Sequence, residues 1–352
     1  MRPLFRIYAN SVEITAAIRD RLVELVVTDE AGIQSDELKL TLDDRRRENG
    51  AIAELPRIGT VLTVLLGYAE ARLVSLGRFI VDEVEIRSPP ATLTVSAKAA
   101  DMVGPFRSRK TRSWDATTLG QLVETIASEH RYEAKIDPEL GAIEISHLDQ
   151  TAESDMALLT RLATKHDAVA KPVAGFLVLA RQGAIKTITG QVMPTITLRS
   201  SDLAEWRYRH SARKPGGSGS TSDPDSQQPP TTATSGTKAY WWDFEKGERR
   251  EVTTGSPPFE EIRYVHATEA EAKAAAATRK NTGERGQGEL SFSLPGDPRL
   301  AAEGRMSLSL RPGIPSDWCV KRAEHRLSNQ GYTTHVECER FVIAPEPLTA
   351  GL

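Results

Sequence analysis

The clearest helical pattern of the chain begins at Trp114-Asp115-Ala116-Thr117-Thr118-Leu119 and continues, with interruptions, to about Lys171. Apolar residues recur there at spacings of three and four, which predicts the buried stripe of an amphipathic helix. This stripe consists of Leu119, Leu122, Val123 and Ile126. Asp115 or Thr117 is predicted to cap the helix, because a side-chain oxygen there can accept a hydrogen bond from the free amides of the first turn. The pattern ends near residues 130–132.

A second helix is predicted after a turn at residues 137–141 and a short strand at 142–146. Its start at 151–155 is rich in side-chain acceptors and negative charge. Its apolar face contains Met156, Leu158, Leu159, Leu162 and Ala163. A strand at 175–180 follows, so residues 105–190 are predicted to form a linker and a compact module of alternating helices and strands. His130 and His166 lie near the two helix C-termini, where a cation is favoured.

Strand patterns fill the part of the chain before this module. Short apolar or alternating runs occur at 4–8, 21–27, 36–43, 59–67, 76–86 and 91–97. The run at 36–43 alternates with period two, which predicts one buried and one solvated face. Several short strands separated by turn signals predict an antiparallel sandwich or barrel over residues 1–104.

A basic segment at 107–112 joins this barrel to the module and holds four cations in six positions. Clustered arginines such as Arg107 and Arg109 make good contacts to phosphates or to an acidic partner. The interpretation as a solvated linker is favoured, because no aromatic partner or base-reading helix accompanies the cations.

Residues 191–352 are predicted to form a second strand-rich barrel. It is interrupted at 213–237 by a segment rich in Ser, Thr, Gly, Pro and Gln, which cannot bury enough apolar surface to offset the entropy of ordering it. This segment is predicted to be a disordered insertion or one that orders against a partner. Further strands are predicted at 191–199, 204–209, 239–243, 249–252, 289–294, 305–310, 318–327 and 332–341.

An alanine-rich helix is predicted from Thr268, its cap, to Gly283, its end. Its small face suits a helix that lies flat on a sheet. The fold class is therefore mainly β with an α insertion: two antiparallel barrels separated by a small helix-strand-helix module.

Composition excludes several classes of protein. The 352 residues are enough for two or three domains, and a net charge of −3 disfavours a nucleic-acid coat. No apolar run is long enough for a membrane helix, and the N-terminus lacks the apolar core of a secretory signal. Cys319 and Cys338 are predicted to be free, reduced strand residues, since two cysteines do not make a zinc site.

His147 and Asp149, with Glu153 and Asp155 nearby, are the strongest candidates for acid–base chemistry or metal binding. They lie where a strand is predicted to enter a helix, so a capping role is favoured. His325 is predicted to be a half-buried strand histidine. No phosphate-binding glycine loop, nucleophile elbow or paired HExxH helix occurs. The chain is predicted not to be an enzyme and to have no cofactor and no metal.

Several motifs in order resemble the phage late control D family of contractile-tail hub proteins. In the central module these are residues 114–120, 137–138, 147–151, 153–155 and 158–163. Near the C-terminus they are 267–272, 295–298, Trp318, Val320, His325, Leu327 and 331–334. The family is similar to the head of the type VI secretion spike. Each motif alone is unspecific, but the ordered set is specific and covers most of residues 4–341.

The resemblance implies a homotrimer in which each chain supplies two related tube-like barrels, giving a pseudo-sixfold ring. This ring would join a sixfold tail tube to a threefold central spike in the baseplate of a virion, after assembly in the host bacterial cytoplasm. Because the chain ends at Leu352, soon after the second barrel, the spike is expected to be a separate protein. The tape measure protein and the baseplate wedge are further candidate partners; no membrane or specific nucleic acid is implied.

Surfaces between barrels or facing the tube are predicted at the small-faced helix and at the strand 318–327. The residues concerned are Ala272, Ala275, Ala276, Trp318 and Val320, together with Arg107 and Arg109 of the basic segment. Three alternatives remain open: a tail-associated peptidoglycan hydrolase, a regulator or DNA-binding protein, and a hub of a defective prophage, tailocin or secretion-type injection machine.

Overall fold

A computed structural model describes residues 2–32, 35–46, 54–99, 106, 108–173, 176–182, 194–210 and 236–341. Arg107 and most of the predicted insertion at 213–237 lie outside the described residues. Gly236 and Thr237, the last two residues of that predicted insertion, instead begin a strand in which both are buried. Within the described residues, no helix is long and apolar enough to span a bilayer.

Most of the regular structure is β. The strands are β1 (Pro3–Ala9), β2 (Val12–Glu13), β3 (Leu22–Glu30), β4 (Glu37–Asp43), β5 (Val61–Tyr68), β6 (Val74–Arg87), β7 (Thr92–Ala99), β8 (Arg109–Thr118), β9 (Glu133–Ile136), β10 (Glu144–Ser154), β11 (Ala168–Val173), β12 (Phe176–Arg181), β13 (Ile196–Arg199), β14 (Glu205–His210), β15 (Gly236–Asp243), β16 (Glu248–Gly255), β17 (Phe259–His266), β18 (Gly288–Pro295), β19 (Arg305–Ser309), β20 (Asp317–Ser328) and β21 (Gly331–Arg340). The helices are α1 (Thr15–Ile18), α2 (Leu119–Glu129), α3 (Pro138–Gly141), α4 (Asp155–Lys165) and α5 (Glu269–Arg285). The predicted mainly β class is confirmed.

One large sheet runs through both ends of the described chain. Its strand order is β14-β18-β21-β20-β3-β4-β7-β6-β5-β1-β2, and β19 adds to β20 and β13 to β19. Strand β20 is shared: its first residues pair with β19, and Arg322 to Ser328 pair antiparallel with β3. The N-terminal and C-terminal strands therefore join through backbone hydrogen bonds. The arrangement as two tube-like barrels stays a prediction.

Two hydrophobic cores lie along this sheet. The N-terminal core forms because alternate residues of β3 to β7 point to one side, as at Leu38, Leu40 and Leu42 of β4. The C-terminal core contains Phe292 and Trp318, and the indole of Trp318 donates a hydrogen bond to the carbonyl of Pro315 at 3.0 Å. Alternation within strands thus produces two cores that share one hydrogen-bonded sheet.

The central segment has its own core, built by α2, α4 and the sheet β11-β12-β9. The cap of α2 is Thr118, whose hydroxyl accepts from the Gln121 amide while the Gln121 side chain accepts from the Thr118 amide. The prediction of Asp115 or Thr117 is wrong, because β8 continues to Thr118. Ser154 caps α4 by accepting from the amide of Ala157.

The basic segment is also more ordered than predicted. Residues 109–112 belong to β8, where Arg109 pairs with Ser154 and Arg112 with Gln150 of β10. Their interpretation as a solvated linker is therefore wrong. The predicted strand at 142–146 is likewise the first part of a longer strand, β10.

A smaller sheet, β16-β15-β17, lies against α5. Ala272 and Ala276 of the helix are fully buried on this sheet beside Ala239, so the prediction of a small-faced helix lying on a sheet is confirmed. Helix α5 continues past the predicted end at Gly283 to Arg285, whose side chain forms a buried ion pair with Asp167.

His325 is fully buried between the two cores, deeper than the half-buried position predicted for it. Its Nδ1 lies 2.9 Å from the Tyr332 hydroxyl and 3.1 Å from the Thr334 hydroxyl, and its Nε2 lies 3.0 Å from the Leu300 carbonyl. Burial lowers the pKa of His325 to about 4. Cys319 and Cys338 are buried and unpaired, as predicted.

The close approach of Gly296 to the Tyr332 ring gives a testable prediction. A Cβ at Gly296 would lie 2.1 Å from that ring, whereas a Cβ at Gly283 in α5 meets nothing within 4 Å. We expect Gly296→Ala to lower the free energy of unfolding by about 1–3 kcal/mol, because the buried ring must move. The control Gly283→Ala should raise it by about 0.5–1 kcal/mol through helix propensity. Urea unfolding of both variants tests this; equal effects would contradict it.

Candidate functional site

The predicted acid–base candidates lie on the two-stranded ribbon of β8 and β10. His147 Nδ1 is 2.5 Å from Asp115 Oδ1, and its Nε2 is 3.4 Å from Asp149 Oδ2. His147 and Asp149 sit inside β10 and not at a helix start, so the predicted capping role is wrong for both. The hydrogen bond to Asp115 and, to a smaller extent, the hydrogen bond to Asp149 raise the pKa of His147.

This arrangement does not prepare a nucleophile. The hydroxyl of Ser113 donates to Asp149 and not to the imidazole of His147. A nucleophile and its base must be within hydrogen-bond reach of each other. Glu153 is likewise engaged, in an ion pair with Arg161 at 2.7 Å. The ribbon therefore holds exposed, mutually paired charges.

Asp155 lies apart from these groups, in a buried cluster at the start of α4. Its carboxylate accepts from Lys110 Nζ at 2.6 Å, from Arg112 Nη2 at 2.9 Å and from Gln150 Nε2 at 2.9 Å. His130 Nε2 is 2.7 Å from Asp155 Oδ2. Burial favours the neutral acid, but the hydrogen bonds from Gln150, Lys110 and His130 outweigh it and lower the pKa of Asp155.

Glu129, His130 and Asp155 together offer ligand atoms close enough to hold a metal ion. Their carboxylates, however, already contact two cations of the chain: Lys110 and Arg112 bind Glu129 at 2.7 and 2.6 Å and also bind Asp155. An added divalent ion would meet both positive charges at contact distance. The chemistry of the cluster fits a structural ion-pair network between β8, α2 and α4.

A second polar cluster, around Lys171 of β11, connects the N-terminal strands, the central module and the C-terminal part of the chain. Its ammonium donates to Asp36 Oδ1 at 2.7 Å and to the Glu30 carbonyl at 2.9 Å. Across the junction, the amide of Ala302 donates to Asp29 at 2.8 Å. Burial and the neighbouring charge of Asp36 raise the pKa of Asp29 to about 7. This cluster fixes the central module against the large sheet.

A third cluster holds α5 against the central module. The buried guanidinium of Arg285 forms a two-pronged ion pair with Asp167, which follows α4, and Asn281 Nδ2 donates to the same carboxylate at 3.1 Å. Oε1 of Glu339, on β21, lies 3.8 Å from Nε of Arg285. Three elements far apart in sequence are therefore held by one guanidinium.

The residues predicted to form interfaces are mostly internal. The side chains of Ala272, Ala276, Trp318 and Val320 are buried in cores of their own chain, and Ala275 is half-buried. Arg109 is exposed at the start of β8. Buried side chains can support a surface without touching a partner, so an interface role for these positions stays a prediction.

Exposed large aromatic residues, in contrast, were not predicted as site residues. Trp242, Phe244 and Tyr264 lie on or beside the sheet β16-β15-β17, and Trp206 lies on the edge strand β14. Single exposed apolar residues are ordinary, and only a contiguous apolar patch marks a contact surface. The sequence signal for these residues is the aromatic run Tyr240-Trp241-Trp242, from which only a strand is predicted.

Comparison with known proteins places this fold among phage tail proteins. A family model described as phage tail baseplate hub (GPD) matches residues 37–331. A protein of Escherichia phage 186 described as a probable baseplate hub protein is 32% identical in an alignment that covers 96% of this chain and 93% of that protein. The chain belongs to the phage tail baseplate hub family, which confirms the predicted resemblance.

Solved structures with the same fold are more distant in sequence. The 43 kDa tail protein of prophage MuSo2 from Shewanella oneidensis is similar with a TM-score of 0.68 and 13% identity, over 96% of this chain and 98% of that one. An E. coli component of the type VI secretion system is similar with a TM-score of 0.53 and 10% identity, over 100% of this chain and 82% of that one. These likenesses show the fold.

The shift in the pKa of Asp29 predicts a pH dependence of stability. Because this pKa is higher in the folded than in the unfolded chain, the carboxyl stabilises the fold below about pH 4 and loses this effect as the pH rises through about 7. Between pH 4 and pH 8, we expect the free energy of unfolding of Asp29→Asn to rise by roughly 1–3 kcal/mol relative to that of the unsubstituted chain. Urea titrations at both pH values measure it. For the exposed control Asp82→Asn, the difference in unfolding free energy from the unsubstituted chain should change by less than about 1 kcal/mol between the two pH values. A difference for Asp29→Asn that does not vary with pH would exclude this account of the Asp29 pKa.

The ion pair of Arg285 gives a second prediction. Arg285→Ala should lower the free energy of unfolding by about 3–5 kcal/mol, because Asp167 would be left as a buried unpaired charge. Arg279→Ala on the same helix removes an exposed ion pair with Glu260 and should cost less than about 1 kcal/mol. Denaturant unfolding of the two variants compares them. Similar losses would show that the Asp167 pair does not stabilise the junction.

Proposed function

We propose that this chain is the hub of a contractile tail baseplate, in which three copies form a ring. Each chain would contribute two similar positions to a pseudo-sixfold ring that joins a sixfold tube to a threefold spike. The observation that carries this proposal is the pair of hydrophobic cores on one continuous sheet. Two such units per chain, repeated three times, give six positions around an axis.

Membership of the baseplate hub family supports this function, and the location follows from it. The protein would act in the tail baseplate of a virion, after assembly in the bacterial cytoplasm. A central spike protein and a tail tube protein are the partners we propose, with the tape measure protein and wedge as further neighbours. Likeness in fold to a type VI secretion component keeps an injection machine of another kind as an alternative.

Rigid coupling between the parts of the chain also supports a hub. The polar clusters around Lys171 and Arg285 connect the large sheet, the central module and α5. A part that passes force from tube to spike needs such connections. The candidate acid–base groups are paired with one another or with cations, so we propose assembly and not hydrolysis as the activity.

The ring predicts the mass and shape of the purified chain. Light scattering should give three times the chain mass, and negative-stain images of the same peak should show a ring with a central channel. If the chain trimerises only on its spike, co-expression with the spike protein encoded nearby should give the ring. A chain that stays monomeric under both conditions would overturn the proposed function. Clearing of a cell-wall substrate would instead favour the hydrolase.

A further inference from the structure

Strand β14 forms an open edge of the large sheet. It pairs antiparallel with β18, and no other strand among the described residues pairs with it. One side of its backbone therefore presents N–H and C=O groups without a partner strand, and such an edge can pair with an added strand. Extended peptides bind proteins in this way, and the side chains of the edge strand determine which peptide fits.

Two arginines lie on one face of β14. Arg207 and Arg209 are exposed and two residues apart, so their side chains point to the same face of the sheet. Arg209 stands opposite Glu289 of β18, with 3.8 Å between its Nη1 and Oε2 of the glutamate. Arg207 stands opposite the neutral Ser291 and forms no ion pair with any residue that the structure describes. The edge strand therefore carries positive charge that its own chain neutralises only in part.

Both arginines line a polar cleft of about 420 Å³, which the C-terminal end of α5 also lines. Two acids of the cleft lie near cations of the chain, since Glu339 is 3.8 Å from Arg285 and Glu337 is 3.8 Å from Arg322. A carboxylate that approaches from the open side of β14 meets Arg207 first. The cleft gives the side chain of such a carboxylate room beside the sheet.

The opposite face of β14 is aromatic. Tyr208 packs edge-on against Trp318 of the C-terminal core, with 5.9 Å between the ring centres. Trp206 pairs with Phe292 of the same core but is 41% exposed, so it extends the apolar surface of the core to the edge of the sheet. An added strand would place alternate side chains beside Trp206 and the others opposite the arginines.

A peptide fits this edge better than a nucleic acid does. Binding of nucleic acid requires an excess of cations, whereas three glutamates line the same cleft: Glu289, Glu337 and Glu339. A peptide backbone also offers donors and acceptors at the spacing of a strand, which a phosphodiester backbone does not. Glu205, at the start of β14, points to the face of the two arginines and disfavours a third acid in line with the other two.

We propose that the free edge of β14 binds an extended segment of a partner protein in which two carboxylates alternate with apolar side chains. The carboxylates lie opposite Arg207 and Arg209, and the apolar side chains cover Trp206. The segment adds one strand to the large sheet. This inference goes beyond the proposed hub function and does not depend on the number of copies in a ring, because a single strand of one chain provides the site.

A synthetic peptide tests the proposal. The sequence Thr-Val-Glu-Val-Glu-Val-Thr, carrying fluorescein on a glycine linker, has both glutamates on one face and reads the same in both directions, so it can add parallel or antiparallel. Its fluorescence anisotropy should rise on titration with the chain, with a midpoint below about 1 mM. The control Thr-Val-Val-Glu-Glu-Val-Thr has the same composition but adjacent glutamates that point to opposite faces, and it should bind at least about tenfold more weakly. Equal binding of the two peptides, or no binding of the first, would overturn the proposal.

Charge reversal on the chain identifies the contact. Arg207→Glu and Arg209→Glu should each weaken binding of the first peptide about tenfold or more, because like charges then lie opposite each other. Arg207→Glu should in turn bind the peptide with lysine in place of both glutamates better than the unsubstituted chain does. The matched control Arg78→Glu reverses an exposed cation on β6, which is paired on both sides, and should change the affinity less than about twofold. Thermal melting followed by circular dichroism verifies that the variants fold.

Hydrogen exchange distinguishes strand addition from a simple attraction of charges. The first peptide should slow amide exchange within residues 205–210 at least about fivefold, because free N–H groups of β14 become hydrogen-bonded. Unchanged exchange in β14, or unchanged affinity in both glutamate variants, would overturn the site. A lower solution mass of Arg207→Glu than of the unsubstituted chain would make a second copy the occupant, and tighter binding of a short oligothymidylate than of the peptide would make it a nucleic acid; either result also overturns the proposal. The mass of the unsubstituted chain tests the ring separately, so the two proposals can fail independently.

Discussion

The antiparallel pairing of β3 with β20 is the constraint on which the rest of the structure depends. It joins strands from opposite ends of the sequence, through pairs such as Val27 with His325, into the middle of the large sheet. Without it the N-terminal and C-terminal cores would each end in an open edge strand, and unpaired backbone groups at such an edge are an aggregation hazard. Leu327 and Tyr332 illustrate the coupling, because these C-terminal residues pack into the N-terminal core.

Backbone pairing alone does not fix the central module, and the charged clusters supply that connection. Lys171 reaches from β11 to Asp36, and Arg285 reaches from α5 to Asp167. Buried ion pairs often add little net stability compared with apolar packing, but losing one partner is costly. Such contacts therefore favour one arrangement of the parts over others more than they add cohesion. A hub needs that property because its neighbours must meet it in one geometry.

Much of this architecture could be predicted from local sequence, and the failures have physical causes. Periodicity identified most strands of both ends and the helices α2 and α4, since a buried face imposes a repeat on each element. Helix α5 was predicted instead from its alanine-rich composition and its cap, Thr268. The cap of α2 was misassigned because β8 extends to Thr118, and only its partner strand β10 determines that extension. The basic segment looked like a linker because the acids that neutralise it, Glu129 and Asp155, lie 17 to 45 positions away in sequence.

The candidate site follows the same rule. The family resemblance indicated the hub class from motifs alone, whereas the junction of Asp29, Asp36 and Lys171 depends on contacts more than 130 positions apart. The spacing of residues in a motif does not predict contacts over such a separation. The structure also places Ala272 and Trp318 inside cores of their own chain, and a local sequence pattern does not distinguish such a position from an exposed one.

The long separation between β3 and β20 also governs when the protein can finish folding. Arg326 of β20 hydrogen-bonds to Glu24 of β3 across 302 positions. At a ribosomal rate of about 5–20 residues per second, β3 emerges roughly 15–60 s before its partner. During that interval one side of β3 has no strand to pair with, so the nascent N-terminal half resembles an unfinished sheet. Completion of the large sheet is thus a late event of biogenesis, because the chain must be synthesised as far as β20 before β3 can pair on both sides.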